Sequence, residues 1–179
     1  MRNVFVALAT ILIVCTSAHG ATWYVAKDGS GDFSVIQDAV DAASDGDVIE
    51  VGPGRYEEYQ PYNNFSDIFV WVQDKSLTIN GAGAEETIIG PEDPESLERG
   101  SSGIAAHGSQ FFSLHSLTIE NMRSGGSMDA SVQVLEVSSC IFRNGEVPWG
   151  LTVDCAQGGF IRDCRFEGHY FALGVYSPT

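Results

Sequence analysis

A repeated apolar pattern is the feature of this sequence that most restricts its fold. Four positions recur three times, at steps of 23 and 24 residues: Leu114, Leu117, Ile119 and Asn121, then Val137, Cys140, Phe142 and Asn144, then Ile161, Cys164, Phe166 and Gly168. Each segment is too short to bury an apolar face alone, so a hydrophobic core requires the repeats to stack. The pattern therefore predicts a solenoid, in which successive coils build one continuous core.

A second set of apolar positions recurs between these segments and predicts two strands in each coil. The aligned positions are Val132 and Val134, Leu151 and Val153, and Leu173 and Val175. Upstream, Leu77–Ile79 matches Leu117–Ile119 after 40 residues. The acidic segment 91–100, expected to be a loop, accounts for that longer step.

Two solenoid classes fit repeats of this length. Leucine-rich repeats are the main alternative, since Leu114, Leu117 and Ile119 fit part of their spacing. A parallel β-helix is favoured, because Gly, Asn, Asp and Ser separate the strands and no helical period lies between them. In such a fold each strand pairs with the one about 4.8 Å above it, so Asn121 is expected to lie over Asn144 in a ladder.

One segment does have a helical period. Apolar residues at i, i+3, i+4 and i+7 from Ile36 lie on one face of a helix predicted over 34–43, and Ser34 with Gln37 forms a capping box at its start. The end of a β-solenoid exposes unpaired strand edges, which an amphipathic helix can cover. The helix is therefore expected to cap the N-terminal end of the core.

The first residues have the pattern of a secretory signal peptide. Arg2 gives a basic start, the apolar run 4–14 is too short to cross a bilayer, and Ala18-His19-Gly20 offers small residues before a cleavage site. Residues 1–20 are thus predicted to be removed. One exported domain over 21–179 would remain, with no membrane span, located outside the cell, at the cell surface or in the periplasm.

The charge balance excludes two classes of partner. The chain has 24 acidic and nine basic residues, a formal net charge of −15 and a pI near 4.3. Nucleic acids and anionic membranes require a clustered basic surface, and the Lys and Arg residues here are scattered singly. With 44% hydrophobic residues the chain is too apolar for a disordered acidic tail, so we expect a folded acidic domain.

Several segments resemble the pectin methylesterase family. They are Val25-Ala26-Lys27-Asp28-Gly29-Ser30-Gly31-Asp32-Phe33, Gly54-Arg55-Tyr56-Glu57-Glu58, Leu77-Thr78-Ile79-Asn80-Gly81, Leu117-Thr118-Ile119-Glu120-Asn121 and Cys164-Arg165-Phe166-Glu167-Gly168. The resemblance implies an all-β, right-handed parallel β-helix of the pectin-lyase type with an N-terminal capping helix. It also implies a secreted protein that binds or processes polysaccharides.

The resemblance does not extend to the residues that carry the family's esterase chemistry. Family members follow Cys-Arg-Phe-x-Gly with Tyr-Gln-Asp-Thr-Leu, whose Asp is a catalytic carboxylate, and Phe171 stands at that position here. Phenylalanine can neither transfer a proton nor attack a carbonyl. The family's oxyanion-stabilising Gln falls at Pro148-Trp149-Gly150. Its second Asp and its Arg would lie beyond Thr179, so no catalytic residue is assigned.

Trp149 and Tyr170 are the predicted substrate-binding residues, together with His169. The resemblance puts them in turns beside the face where β-helix proteins hold sugar chains, and flat aromatic rings suit stacking on pyranose rings. Packing within the turns is the alternative. Tyr59 and Tyr62 are weaker candidates of the same kind, and His169 is a candidate acid or base beside the position of the missing Asp.

No metal ion or other cofactor is predicted. His107, His115 and His169 lack the close spacing that ligands on one element require. Calcium could bind the carboxylates of segment 92–98, but these lack the alternating pattern of an EF-hand loop, and a solvated charged loop is the alternative.

Three cysteines remain after removal of the signal peptide: Cys140, Cys155 and Cys164. Export permits disulfides, and Cys140 is expected to stack on Cys164 one coil away. Parallel stacked side chains give a poor disulfide geometry, so a reduced pair is expected.

Three functions fit these observations. The first is an exported carbohydrate-binding or cell-surface β-helix without intact esterase residues. The second is the N-terminal part of a pectinesterase or polysaccharide lyase whose catalytic coils lie beyond Thr179, favoured by the lack of a capping repeat after Leu173–Val175. The third is a structural or adhesive surface solenoid. The expected partner is a polysaccharide. An acidic polysaccharide is one candidate, which so acidic a monomer would bind through calcium.

Overall fold

The computed structural model describes residues 20–63, 66–97, 100–122, 128–144, 149–168 and 171–176. Within them the chain has one α-helix, α1 (Ile36–Ala42), and a short 3₁₀ helix (Pro94–Ser96). The strands are β1 Thr22–Val25, β2 Asp47–Val51, β3 Gly54–Tyr56, β4 Gln60–Pro61, β5 Ser66–Gln73, β6 Leu77–Gly81, β7 Thr87–Ile89, β8 Gly100–His107, β9 Phe111–His115, β10 Thr118–Glu120, β11 Met128–Ser138, β12 Ile141–Arg143, β13 Trp149–Arg162, β14 Arg165–Glu167 and β15 Phe171–Tyr176.

The strands stack in parallel into three faces around a common core. Face A contains β5, β8, the first halves of β11 and β13, and β15. Face B contains β1, β2, β6, β9 and the second halves of β11 and β13. Face C contains β3, β7, β10, β12 and β14. From β5 onward the chain visits faces A, B and C in turn, which is compatible with the predicted solenoid.

The repeat that defined the coils is in the predicted register. Leu114 pairs with Val137, and Val137 pairs with Ile161. On face C, Phe142 pairs with Phe166, and their stacked ring centroids lie 5.0 Å apart. These residues line the core, where Leu114, Val137 and Phe142 are fully buried. The predicted 23- and 24-residue steps are thus confirmed.

Left-handed turn residues explain why the repeat is so regular. Ser116, Ser139 and Asp163 connect face B to face C with φ of 53° to 56°. Asn121 and Asn144 leave face C at φ of 58° and 55°, and Asn121 N donates to Arg143 O. Asn is tolerated in this region better than most residues. The two Asn residues therefore occupy corresponding turn positions, although the Asn121 amide donates to Pro91 O and Glu92 O, at 2.8 and 3.2 Å.

Two sequence-based registers are wrong. The sequence aligned Val132 with Leu151. In the structure Leu151 pairs with Met128, and Val132 pairs with Cys155. The register of β11 shifts between Val132 and Val134, where the strand passes from face A to face B, and an apolar alternation followed across that irregularity loses its phase.

The other wrong register concerns β6. Leu77 pairs with Phe112 on face B, whereas Thr118 and Ile119 pair with Ile88 and Ile89 on face C. Both segments have the same short apolar pattern, but they belong to different faces of the coil. Each coil accordingly has three faces where the sequence predicted two strands.

The predicted helix is confirmed, but its predicted capping box is wrong. The helix begins at Ile36 after Val35, and no side chain caps its N-terminus. Ile36, Ala39 and Val40 are buried against the core, as the helical period predicted. Gln37 donates elsewhere, because its amide bonds to β5.

Among the described residues, no helix has the length and apolar character needed to cross a bilayer. The predicted signal peptide lies outside the described residues and stays a prediction. The acidic segment is a loop with the short 3₁₀ helix in the described part of its length.

Candidate functional site

Four aromatic side chains gather at the N-terminal edge of face A. There β4 pairs antiparallel with β5 and forms a hairpin. The ring centroids of Tyr62 and Trp71 lie 4.3 Å apart, and those of Tyr59 and Phe69 lie 5.7 Å apart. We call Tyr59, Tyr62, Phe69 and Trp71 the aromatic edge. Phe69 is buried, and the other three, of which Tyr59 is 48% exposed, offer flat apolar surface beside polar groups.

The indole of Trp71 points away from the core. Its strand neighbours Val70 and Val72 are fully buried, and alternation along a strand puts Trp71 on the opposite side. The Trp71 Nε1 atom is itself buried and has no hydrogen-bond partner among the described residues. An unsatisfied buried donor costs about 1 to 3 kcal/mol.

Gln37 holds Trp71 from the helix side. Its Oε1 accepts from Trp71 N at 2.8 Å, and its Nε2 donates to Trp71 O at 3.1 Å. The same Nε2 donates to Asp41 Oδ1 at 2.7 Å. The side-chain amide thus makes the two hydrogen bonds that a neighbouring strand would make, and it fixes α1 against β5.

Lys75 fixes the other end of the helix. Its Nζ donates to Val40 O at 2.9 Å, Asp41 O at 3.3 Å and Ala43 O at 3.0 Å. These carbonyls lie at the C-terminal end of α1, where the helix dipole favours a cation. Lys75 therefore links the end of β5 to the end of the helix.

A cleft of about 280 Å³ lies between α1 and the β4–β5 hairpin. We call it the Trp71 cleft. Its lining residues are Gln37, Val40, Asp41, Gln60, Pro61, Trp71, Gln73 and Lys75. Three of these are glutamines, and one ring, one carboxylate and one ammonium complete the polar set. The lining can stack on a ring and can exchange hydrogen bonds with hydroxyl groups.

Face B carries a second polar surface, made of residues that pair with one another across neighbouring strands. One row across its strands consists of Tyr24, Glu50, Asn80, His115, Ser138 and Arg162. Asn80 donates to Glu50 at 2.8 Å. A shallow cleft of about 320 Å³ lies at the Tyr24 end of the row. This row offers hydrogen-bonding groups along the stacking direction.

His115 is the titratable centre of that row. Its Nδ1 lies 2.7 Å from Ser138 Oγ. Burial lowers the pKa of His115, a nearby Glu136 acts in the opposite direction, and Arg162 lowers it further. Neutral imidazole is therefore favoured at neutral pH, where it can accept or donate a hydrogen bond.

Face C carries ion pairs that hold the coils together. The Glu120 carboxylate is almost fully buried and accepts from Arg55 at 2.6 Å and from Arg143. Farther along, Arg165 pairs with Glu85 at 2.8 Å and with Glu167 at 2.5 Å. The opposite charges are matched here, and the ion pairs of Glu120 connect the strands β3, β10 and β12 of face C.

The stacked cysteines form a thiol pair. Cys140 Sγ lies 3.3 Å from Ser138 O, and Cys164 Sγ lies 3.2 Å from Arg162 O. The hydrogen bond between the two thiols, together with burial, raises the pKa of Cys140. The same bond lowers the pKa of Cys164 to about 7. The predicted stacking is confirmed, and the reduced state in the exported protein stays a prediction.

The structure separates the residues predicted from sequence. Trp149 begins β13 on face A and pairs with Phe171, and its side chain lies outside the described part of the chain. Tyr170 and His169 lie outside the described residues altogether. Their role in substrate binding stays a prediction.

The structure also places the remaining candidate residues on different parts of the fold. Tyr59 and Tyr62 belong to the aromatic edge. His107 lies on face A and His115 on face B. Within the described residues no group of His, Cys, Asp and Glu side chains could hold a metal ion.

Sequence reasoning missed Trp71 and Gln37. Trp71 could have been found, because it alternates with Val70 and Val72 in a strong strand pattern and is the one residue of the three with a polar atom. Gln37 could not, since 34 residues separate it from Trp71 and no repeat connects them.

Comparison with known proteins adds a polysaccharide-related relative. No family model matches the chain. Pectinesterase 31 of Arabidopsis thaliana is 26% identical over 155 residues, which cover 80% of this chain and 49% of that protein. The chain thus spans about half the length of the curated relative that it matches. Over four fifths of its length, this chain is similar to a pectinesterase.

Proposed function

We propose that this protein is an exported polysaccharide-binding protein built on a right-handed parallel β-helix. The Trp71 cleft carries the proposal, because an indole ring beside the side-chain amides of Gln60 and Gln73 offers both stacking and hydrogen bonding to a sugar. Similarity to a pectinesterase supports a polysaccharide as the partner. Right-handed winding is supported by the strong preference of parallel strand connections for that hand.

Within the described residues, binding of a polysaccharide is favoured over esterase turnover. By resemblance, Phe171 of β15 occupies the place of a catalytic carboxylate, and β15 belongs to face A. No cofactor is needed for binding of this kind. A sugar chain that followed face A from the cleft would cross three strand spacings, about 14 Å, before reaching β13, which begins at Trp149. Trp149, Tyr170 and His169 are proposed as the far end of that path.

Affinity measurements on the full chain test the proposal. Trp71→Ala is expected to weaken binding to a pectin or hemicellulose panel about tenfold, the equivalent of roughly 1.4 kcal/mol. Phe160→Ala is the matched control, since Phe160 is an exposed aromatic residue on face B, 39% exposed. Circular dichroism establishes that both variants are folded. The absence of binding to every polysaccharide, or equal binding by Trp71→Ala, contradicts the proposal.

The relative favours a second candidate, a polysaccharide-active enzyme. The chain spans about half of a pectinesterase, so esterase or lyase activity would belong to a protein that includes further coils. Methanol release from esterified pectin and formation of unsaturated uronides measure the two activities. Turnover by the 179-residue chain would favour this candidate over simple binding.

A further inference from the structure

The positive charge of the Trp71 cleft is already engaged. Lys75 is its one basic side chain among the described lining residues. An ammonium group has three N–H donors, and Lys75 Nζ has three acceptors: the carbonyls of Val40, Asp41 and Ala43. No donor of this ammonium is left for a carboxylate on a ligand.

A negative charge stands at the same rim. The Asp41 side chain is exposed and accepts one hydrogen bond from Gln37. A uronate carboxylate bound in the cleft would lie beside that carboxylate and would gain no N–H donor from Lys75 in exchange. The net charge of −15 for the whole chain adds a repulsive field for any anion that approaches.

The remaining polar groups are neutral. Gln60 and Gln73 line the cleft with amides that both donate and accept, and Gln73 is exposed. Sugar hydroxyls also donate and accept, so amides match them in either direction. The indole of Trp71 supplies an apolar surface for the ring of the sugar.

We propose that the Trp71 cleft binds uncharged pyranose units and discriminates against uronates. This inference rests on the proposed function, since it requires the cleft to be a sugar site. It adds the class of sugar that the site accepts, which is neutral where an acidic polysaccharide would present anions.

A pair of ligands that differ only in charge tests the inference. An α-1,4-linked oligogalacturonate is compared with the same oligomer after its carboxyl groups have been reduced to alcohols. The reduced oligomer is expected to bind the full chain about fivefold or more tightly at low salt, and added salt should narrow the difference. Titration calorimetry without calcium gives both affinities.

Charge variants link the selectivity to the cleft. Asp41→Asn keeps an acceptor for Gln37 and removes the charge, so discrimination should fall by about half or more. Asp38→Asn makes the same change on α1 outside the cleft and should leave discrimination unchanged. Gln73→Lys adds a free ammonium and should raise affinity for the oligogalacturonate, whereas Gln157→Lys, at an exposed position on β13, should not.

The outcomes separate the two proposals. Tighter binding of the reduced oligomer, with the Asp41 and Gln73 effects, supports the inference. Equal or tighter binding of the oligogalacturonate overturns it and leaves the polysaccharide-binding function standing. If neither oligomer binds and the polysaccharide panel also gives no binding, both proposals fail. If polysaccharides bind and Trp71→Ala has no effect, the sugar site lies elsewhere and the inference fails with it.

Discussion

At the scale of single residues, side chains take the place of main-chain partners at the N-terminal end of the fold. Gln37 hydrogen-bonds both main-chain groups of Trp71, and Lys75 satisfies three carbonyls of α1. Asp47 has a similar role, accepting from Ala21 N at 2.6 Å and from Ser44 N at 2.8 Å. The contacts of Gln37 and Lys75 fix the shape of the Trp71 cleft before any ligand enters.

Gln37→Ala tests the contribution of the amide. The substitution leaves the N–H and C=O of Trp71 without these partners, so the free energy of unfolding should fall by about 1 to 3 kcal/mol. Urea denaturation measures the loss. Gln73→Ala, an exposed position on the same strand, should change stability by no more than about 0.5 kcal/mol. Similar effects of the two variants would show that Gln37 does not hold α1 to β5.

His115 should make stability depend on pH below neutrality. Burial lowers its pKa in the folded protein below the ordinary 6.5, so the unfolded chain takes up a proton first as the pH falls. The stabilisation is complete above 6.5 and is lost as the pH falls through the lowered value. His115→Asn should remove this part of the pH dependence, which urea midpoints between pH 7.5 and 5 would report. Parallel profiles for the two proteins would rule out this role.

At the scale of elements, the register of the strands follows from the turns. Ser116, Ser139 and Asp163 place one left-handed residue at the same corner of successive coils, so the strands on either side repeat in phase. Sequence could therefore predict the stacking of Leu114, Val137 and Ile161. At the corner from face A to face B, β11 and β13 share no left-handed residue. The number of residues between paired positions differs there from one coil to the next.

Gly90 is an element-scale position where only glycine fits. Its φ is 124°, and a Cβ there would lie 2.1 Å from Glu120 O on the next coil. Gly90→Ala should cost about 3 kcal/mol or more, because both the backbone conformation and the coil spacing oppose it. Thermal unfolding measures the loss. Gly83→Ala is the control, since a Cβ there would lie 3.6 Å from the flexible Glu86 side chain. A Gly90→Ala protein as stable as this control would contradict the close approach of the coils.

At the scale of the whole molecule, sequence predicted the architecture better than the site. The repeat reports the stacking of many residues at once, so parallel strands and a common core could be derived from it, and the helix followed from its own apolar period. The Trp71 cleft depends on one contact between α1 and β5, and a single contact has no period. The aromatic residues chosen from sequence, Trp149 and Tyr170, were selected by resemblance, and their side chains remain outside the described structure.

The net charge should make the whole fold sensitive to salt. With a formal charge of −15, the native chain repels itself, and added salt screens that repulsion. The urea midpoint at pH 7 should rise by a measurable amount, about 0.3 M or more, between 10 and 300 mM NaCl. Near the pI of about 4.3 the same increase in salt should have little effect. An equal salt effect at both pH values would assign it to a cause other than net charge.

The way in which Gln37 and β4 meet β5 also bears on how copies of this protein would interact. Open edges of β-sheets template aggregation, since a passing chain can add a strand to them. A chain that approached the outer side of β5 would find β4 opposite Asp67 and Ile68, and a side-chain amide already bonded to both main-chain groups of Trp71. Loss of that amide should therefore promote self-association as well as lower stability.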